Sequence, residues 1–193
     1  MISENLFPPF ILASGSPRRL KILQEAGFDF KVVVSEVAEE HNGLAEPQGT
    51  AMALATLKAR EVGSRYPNVW IVGADTIVVL DNQILGKPLN RELAYQTLQK
   101  LNNRTHEVIT AVCLFHQQLE REHCFAESSK VAFKNNSLAT LAAYADSPEP
   151  LDKAGAYAVQ GAGRELIDHI EGDLDNIIGF PLNRFLTVLA QLR

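Results

Sequence analysis

The sequence predicts an α/β fold in which helices flank a mixed β-sheet, and three features of the chain point to it. Short apolar runs rich in β-branched residues alternate with stretches whose apolar positions recur at helical spacing. Two neighbouring runs, "HEVITAVCLFH" and "FAESSKVAFK", read as paired strands, which sit badly in a purely parallel sheet. No internal repeat, low-complexity tract or linker divides the 193 residues, so one folding unit spanning 1–193 is expected.

Phe10 to Ala13 reads as the first strand. Ser16 then caps a helix with Pro17 in its first turn, Leu20, Leu23 and Ala26 on one face, and Gly27 after its end. "FDFKVVVSEV" is the next strand. "TAMALATLKAREVGSRY" carries Ala51, Leu54, Ala55, Lys58 and Val62 at helical spacing, which sets a lysine on the apolar stripe. "NVWIVGADTIVVLDNQIL" reads as two strand segments around Gly-Ala-Asp-Thr, with Asp81-Asn82 turning the chain before Ile84. "NRELAYQTLQKLNN" is helical with Asn90 as its cap, "SLATLAAYADSP" returns to helix, and a last helix begins near Pro181 and carries Phe185, Val188 and Leu189.

Composition narrows the function. An apolar share of 46% without any apolar run near the roughly 20 residues of a membrane span points to a globular protein off the membrane. The start "MISENLFPPFILASG" has Glu4, two prolines and no basic stretch, so it does not read as a secretion signal, and a cytoplasmic location is expected. A net charge of -5 argues against direct nucleic-acid binding, which needs a basic face. Cys113 and Cys124 lie in no CxxC and near no paired histidines, and read as buried thiols.

The chemistry concentrates at a few positions. In "LASGSPRR" a helix N-terminus, with its unpaired N–H groups, is surrounded by Ser14, Ser16, Arg18 and Arg19, a set of donors suited to phosphate. The plainer alternative is a capped helix with solvated arginines. Asp75 is a lone acid in a run apolar enough to be buried, where an ionised carboxylate needs a partner or a metal and where α/β proteins place catalytic groups. Lys58 either snorkels from its helix to water or serves a phosphate. "SEVAEEH" sets Glu36, Glu39 and Glu40 after a strand, where carboxylates can hold Mg²⁺, although such clusters are usually only solvated. In "LGKP", Lys87 sits in a loop fixed by Gly86 and Pro88, either a turn or a device aiming an ammonium at an anion. His106 and Glu107 are neighbours in a strand pattern and point to opposite faces, which argues against a shared metal site.

Taken together, "LASGSPRR", "GADTIVV", "LGKP", "THEVITAV", "LDKAGAYAVQG" and "IEGDLDNIIGFPL" strongly resemble the Maf family of nucleoside triphosphate pyrophosphatases, in order and nearly end to end. The resemblance implies a mixed-sheet fold of two lobes around a central cleft, like that of the inosine triphosphate pyrophosphatases. It implies hydrolysis of a nucleoside triphosphate to the monophosphate and pyrophosphate, with a divalent cation, Mg²⁺ or Mn²⁺, and commonly as a homodimer. By motif, Asp75 corresponds to the family's general base, Ser16 and Arg19 to its phosphate loop, Lys58 and Lys87 to its phosphate-contacting lysines, and Glu39, with Asp75, to its metal-side acids. Arg18, Thr76 and Gln160 correspond to residues that accompany preference for dTTP and UTP. The chain departs from the family pattern at Ala38, Ala158, Leu174 and Asp175. Other readings of the same residues are an inosine/xanthosine or 7-methyl-GTP pyrophosphatase, and a nucleotide-binding regulator of cell division.

Overall fold

The computed structural model describes residues 7–38 and 46–192. Its seven strands form one mixed sheet in the order β2-β1-β3-β5-β6-β7, with β4 on β3. The chain divides into two compact units, each assembled from separate stretches: 1–75, 110–127 and 179–193 in the first, 76–109 and 128–178 in the second.

In the first unit, β1 (Phe10–Leu12) pairs in parallel with β2 (Phe30–Val32) on one side and with the start of β3 (Trp70–Leu80) on the other, Leu12 standing opposite Val32 and Val72. Helix α1 (Pro17–Glu25) links β1 to β2 and stops at Gly27, whose φ of +80° suits glycine. Two bonds close that end, Gly27 N–H to Gln24 O at 3.0 Å and Phe28 N–H to Leu23 O at 3.1 Å. Its buried residues are Arg19, Ile22 and Leu23 rather than Leu20, Leu23 and Ala26, because Arg19 reaches inward to polar partners. Ser16 stands at the cap position, yet its side chain makes no capping bond. Phe10 is the hub of an aromatic core, with Phe28, Phe30 and Phe185 at ring separations of 5.4–6.4 Å. Phe185 belongs to α6 (Leu182–Gln191), the predicted last helix.

Helix α2 (Pro47–Arg65) buries Ala51, Leu54, Ala55, Lys58, Ala59 and Val62, the predicted stripe with its lysine included. The helix lies against β3 at Gly73. A Cβ there would run into the carbonyl oxygen of Ala55 and come within 2.8 Å of Ala59 N and 2.9 Å of Ala59 Cβ. Small residues on both elements thus permit a backbone-to-backbone approach that larger ones would block. β3 is one continuous strand through Gly-Ala-Asp-Thr, not two segments, since residues 71–75 are all buried and extended.

The hairpin of β5 (Thr105–His116) and β6 (Arg121–Phe133) forms as expected. It corrects the reading of the cysteines as buried thiols: Cys113 and Cys124 are joined as a disulfide across the two strands, with Cα atoms 4.1 Å apart. Both lie equally far from the centre of the 117–120 turn, so the hairpin register sets them opposite each other.

The second unit holds β4 (Gln83–Leu85), antiparallel to β3 after a turn in which Asp81 and Asn82 take φ of 49° and 64°. Its helices α3 (Arg91–Leu101) and α4 (Leu138–Ala145) begin at Asn90 and Ser137, whose side chains accept from Leu93 N–H and Thr140 N–H. Leu98, Leu101, Val131, Phe133, Leu141, Tyr157 and Leu166 lie in its core. Strand β7 (Ile167–Glu171), antiparallel to β6, and α5 (Leu174–Ile178) complete it. The fully buried Asn176 of α5 donates to Val108 O at 3.0 Å and to Ser129 Oγ at 2.8 Å, which fixes that short helix.

Candidate active site

The order β2-β1-β3 makes β1 a switch point: the chain leaves it toward β2 on one side and returns beside it as β3. Open α/β sheets bind ligands at the carboxyl ends of strands at such a point. Here the loop after β1 carries "SGSPRR", and the Leu12–Val72 register continued by two residues sets Ser14 level with Ala74, next to Asp75.

Two polar contacts organise this end of the first unit. Arg19 is buried, donating from Nη1 to Ser14 Oγ at 2.9 Å and from Nε to Gly179 O at 2.8 Å. Ser14 Oγ also accepts from Ser16 N–H at 3.3 Å, so one hydroxyl gathers the loop and the guanidinium. Arg18 and Ser16 are half-buried.

The second contact is between Lys58 and Asp75, Nζ to Oδ1 at 2.8 Å, with side chains only 7% and 6% exposed. Gly73 and Asp75 point to the same face of β3, the face on which α2 lies, so the close approach at Gly73 brings Lys58 to the carboxylate. Asp75 Oδ2 is buried and has no hydrogen-bond partner among the described residues. An ionised oxygen left so is costly unless it receives a proton donor or a cation, and a hard carboxylate oxygen is a suitable ligand for Mg²⁺ or Mn²⁺. The described residues contain no group of three or more His, Cys, Asp or Glu placed to hold a metal, and Glu39 and Glu40 lie outside them. Glu36 is exposed, with its backbone N–H bonded to Glu61 Oε2 at 3.2 Å.

The remaining candidates belong to the second unit. Thr76 follows Asp75 on the opposite face of β3 and is half-buried. Lys87 is exposed in its loop, where Gly86 O accepts from Gly155 N–H at 3.2 Å and so ties "LGKP" to "DKAGAY". Gly155 has φ of +70°, and a Cβ on it would meet Val78 Cγ1 at 2.8 Å. Gln160 is exposed, in a loop held at both ends: Ala158 N–H donates to Tyr144 Oη at 3.1 Å and Gly163 N–H to Glu149 Oε2 at 3.0 Å. His106 is buried against Tyr157, Nε2 to Oη at 2.7 Å, while Glu107 faces out, as the strand alternation required.

Sequence reasoning did not identify Gly73 as the residue that admits α2, Gly179 as the anchor of Arg19, or Tyr144 and Glu149 beneath the Gln160 loop. Only Gly73 left a signal, a glycine two residues before the lone acid facing a helix with alanines at 51, 55 and 59.

The fold and these residues define an α/β protein with a buried polar site where the carboxyl end of β1 meets the middle of the parallel neighbour β3. The family model described as Maf-like protein matches residues 9–192, and the chain belongs to that family. A dTTP/UTP pyrophosphatase of Bacillus anthracis is 41% identical over 181 residues, 94% of each chain. One of Bacillus cytotoxicus is 42% identical over 182 residues, again 94% of each. Among solved structures, the Ham1 protein of Staphylococcus aureus is similar with a TM-score of 0.57 at 13% identity, covering 96% of this chain and all of that one. That likeness is one of fold.

Proposed function

We propose that the protein hydrolyses dTTP and UTP, and modified pyrimidine nucleotides, to the nucleoside monophosphate and pyrophosphate. The observation that carries the reaction class is Asp75, held through Oδ1 by Lys58 with Oδ2 buried and without a hydrogen-bond partner among the described residues, in β3 just past the end of β1 where "SGSPRR" opens. Relatives named for dTTP and UTP, together with Arg18, Thr76 and Gln160, support the substrate.

In this reading Asp75 Oδ2 orients the attacking water and takes its proton as the α-phosphorus is attacked. Lys58 fixes the carboxylate so that its free oxygen faces the water, and it adds positive charge nearby. Ser14, Ser16, Arg18 and Arg19 bind phosphate oxygens, and Lys87 stabilises charge on the departing pyrophosphate. Asp75 Oδ2 and Glu39 would hold a divalent cation, which when bound supplies neutralisation of the triphosphate charge. A carboxylate oxygen has two lone pairs, so a cation and a water proton can share Oδ2. No covalent intermediate is needed.

The same reading makes the protein a cytoplasmic homodimer acting on free nucleotides rather than on nucleic acid. No helix among the described residues is long and apolar enough to cross a membrane. Residues 1–193 act as one domain, since each compact unit is built from discontinuous stretches and neither is a contiguous piece of chain.

The test is pyrophosphate release across a nucleotide panel. The expected kcat/KM is higher for dTTP and UTP than for ATP, GTP, ITP and 7-methyl-GTP, and Gln160→Ala narrows that gap. A higher kcat/KM for ITP or 7-methyl-GTP overturns the substrate assignment, and absence of pyrophosphate release from every nucleotide overturns the reaction class.

A further inference from the structure

A glutamine amide reads a base edge only if it is held in one orientation. The uracil and thymine edge, O4 with N3–H, is met by an amide N–H and C=O; cytosine presents donor and acceptor reversed, and half a turn of the amide would accept it. Discrimination also depends on bringing that amide to the base edge at one distance and angle, and so on what holds the loop that carries Gln160. That loop, 158–163, is pinned from beneath by two residues.

Tyr144, buried at the end of α4, accepts from Ala158 N–H at 3.1 Å. Burial chiefly, and the nearby Glu149 charge as well, push its phenol above the usual range, so the hydroxyl stays protonated. The Glu149 carboxylate accepts from Gly163 N–H at 3.0 Å. Glu149 is itself fixed, its N–H donating to Ser147 Oγ at 3.4 Å and its carbonyl accepting from Lys153 Nζ at 2.9 Å. The glycines fit this arrangement. Gly161 has φ of +73° and a Cβ on it would strike Glu149 Oε1, while a Cβ on Gly163 would strike Ala158 O and lie 2.7 Å from Tyr144 Oη. Two amides flanking Gln160 thus hang from the Tyr144 hydroxyl and the Glu149 carboxylate.

We propose that Tyr144 and Glu149 are positioning residues for base selection, fixing the 158–163 loop so that the Gln160 amide meets the base edge at the distance and angle that favour uracil and thymine over cytosine. The proposal rests on Gln160 reading the base. Neither residue is among those assigned to the phosphates, so their loss is expected to act on selectivity and KM rather than on the chemical step.

The experiment measures the ratio of kcat/KM for dTTP to that for CTP in the full-length protein with Mg²⁺, alongside thermal melting. Tyr144→Phe deletes one oxygen and Glu149→Ala the carboxylate; each is expected to lower the ratio about tenfold through KM for dTTP, with kcat within about twofold of wild type. Glu149→Gln, which keeps an acceptor for Gly163 N–H, should retain the ratio within about threefold. Added to Gln160→Ala, neither Tyr144→Phe nor Glu149→Ala should lower it further, since the loop then has no amide to aim. A collapsed ratio in Gln160→Ala with an intact ratio in both Tyr144→Phe and Glu149→Ala overturns the positioning role while leaving the Gln160 reading in place. The role also fails if the two substitutions lower kcat for both nucleotides alike. A wild-type protein without preference for dTTP over CTP, or a preference that survives Gln160→Ala, overturns the reading of Gln160 and the proposal with it.

Discussion

Lys58 Nζ meets Asp75 Oδ1 at 2.8 Å where both side chains are more than nine-tenths buried, and Asp75 Oδ2 is left with no hydrogen-bond partner among the described residues. One oxygen of the carboxylate is committed to structure and the other is available for chemistry. Asp75→Asn keeps the shape and removes the charge that both functions use. Turnover is expected to fall by at least about a hundredfold, with the fold retained and the melting temperature lowered. Near-normal turnover in this variant takes Asp75 out of the mechanism.

The same pair gives a second prediction that separates stability from catalysis. Lys58→Met leaves a buried carboxylate facing an apolar chain, and breaking a buried pair from one side costs on the order of 3–5 kcal/mol. Replacing both partners with apolar residues of similar size, Lys58→Met with Asp75→Leu, is expected to recover much of that loss while remaining inactive. Urea unfolding of the two single variants and the double variant tests it. A double variant as unstable as the two losses added together would mean that the ion pair is not a coupled unit.

Cation dependence follows from the free oxygen. Activity is expected to need added Mg²⁺ or Mn²⁺ and to vanish with chelator, because the few cations near "SGSPRR" cannot neutralise a triphosphate alone. Glu39→Gln should raise the cation concentration for half-maximal activity. If a metal titration of that variant overlays the wild-type curve, Glu39 is not a ligand.

Much of this was legible in the sequence because apolar spacing reports burial directly. The stripe of α2, the cap at Asn90, and the β5–β6 hairpin follow from local chemistry, and the structure has each of them. What stayed hidden depends on contacts between distant residues. Arg19 is inward because Gly179 O, 160 residues away, accepts from it, and no local pattern encodes that. Lys58 was ambiguous between snorkelling and phosphate binding because its partner sits on another element. The disulfide was encoded only in the equal spacing of Cys113 and Cys124 about the turn. β7 and α5 are too short for their periodicity to stand out.

Stability should depend on pH through His106. Burial lowers its pKa from 6.5 to about 4, and the ring lies against Tyr157 and Phe133. With the folded value below the unfolded one, the unfolded chain binds more protons between the two. This contribution to stability is therefore complete above pH ~6.5 and is lost progressively as pH falls toward 4. His106→Gln cannot titrate, so the stability difference between wild type and variant should shift in the variant's favour across that window and be flat above it. Parallel stability curves from pH 7 to pH 4 would show that His106 does not carry the effect.

The last prediction concerns Gly73, where the geometry of the site depends on the absence of a side chain. A Cβ at this position would overlap Ala55 O and stand 2.8 Å from Ala59 N, and neither backbone atom can rotate away. Gly73→Ala must therefore push α2 off β3, and Lys58 lies on α2 between the two contacts. Overpacking of this kind costs typically 1–3 kcal/mol. A shift of about 1 Å in a catalytic group can cost on the order of a hundredfold in rate. Gly63→Ala is the control, because on the same helix its Cβ would meet the Phe115 ring at 2.6 Å, a side chain rather than the backbone beside Lys58. Both variants are expected to melt lower than wild type, and only Gly73→Ala should lose most of its turnover at a temperature where both remain folded. Equal turnover losses in the two would assign the effect to general destabilisation of α2 and not to the placement of Lys58 against Asp75.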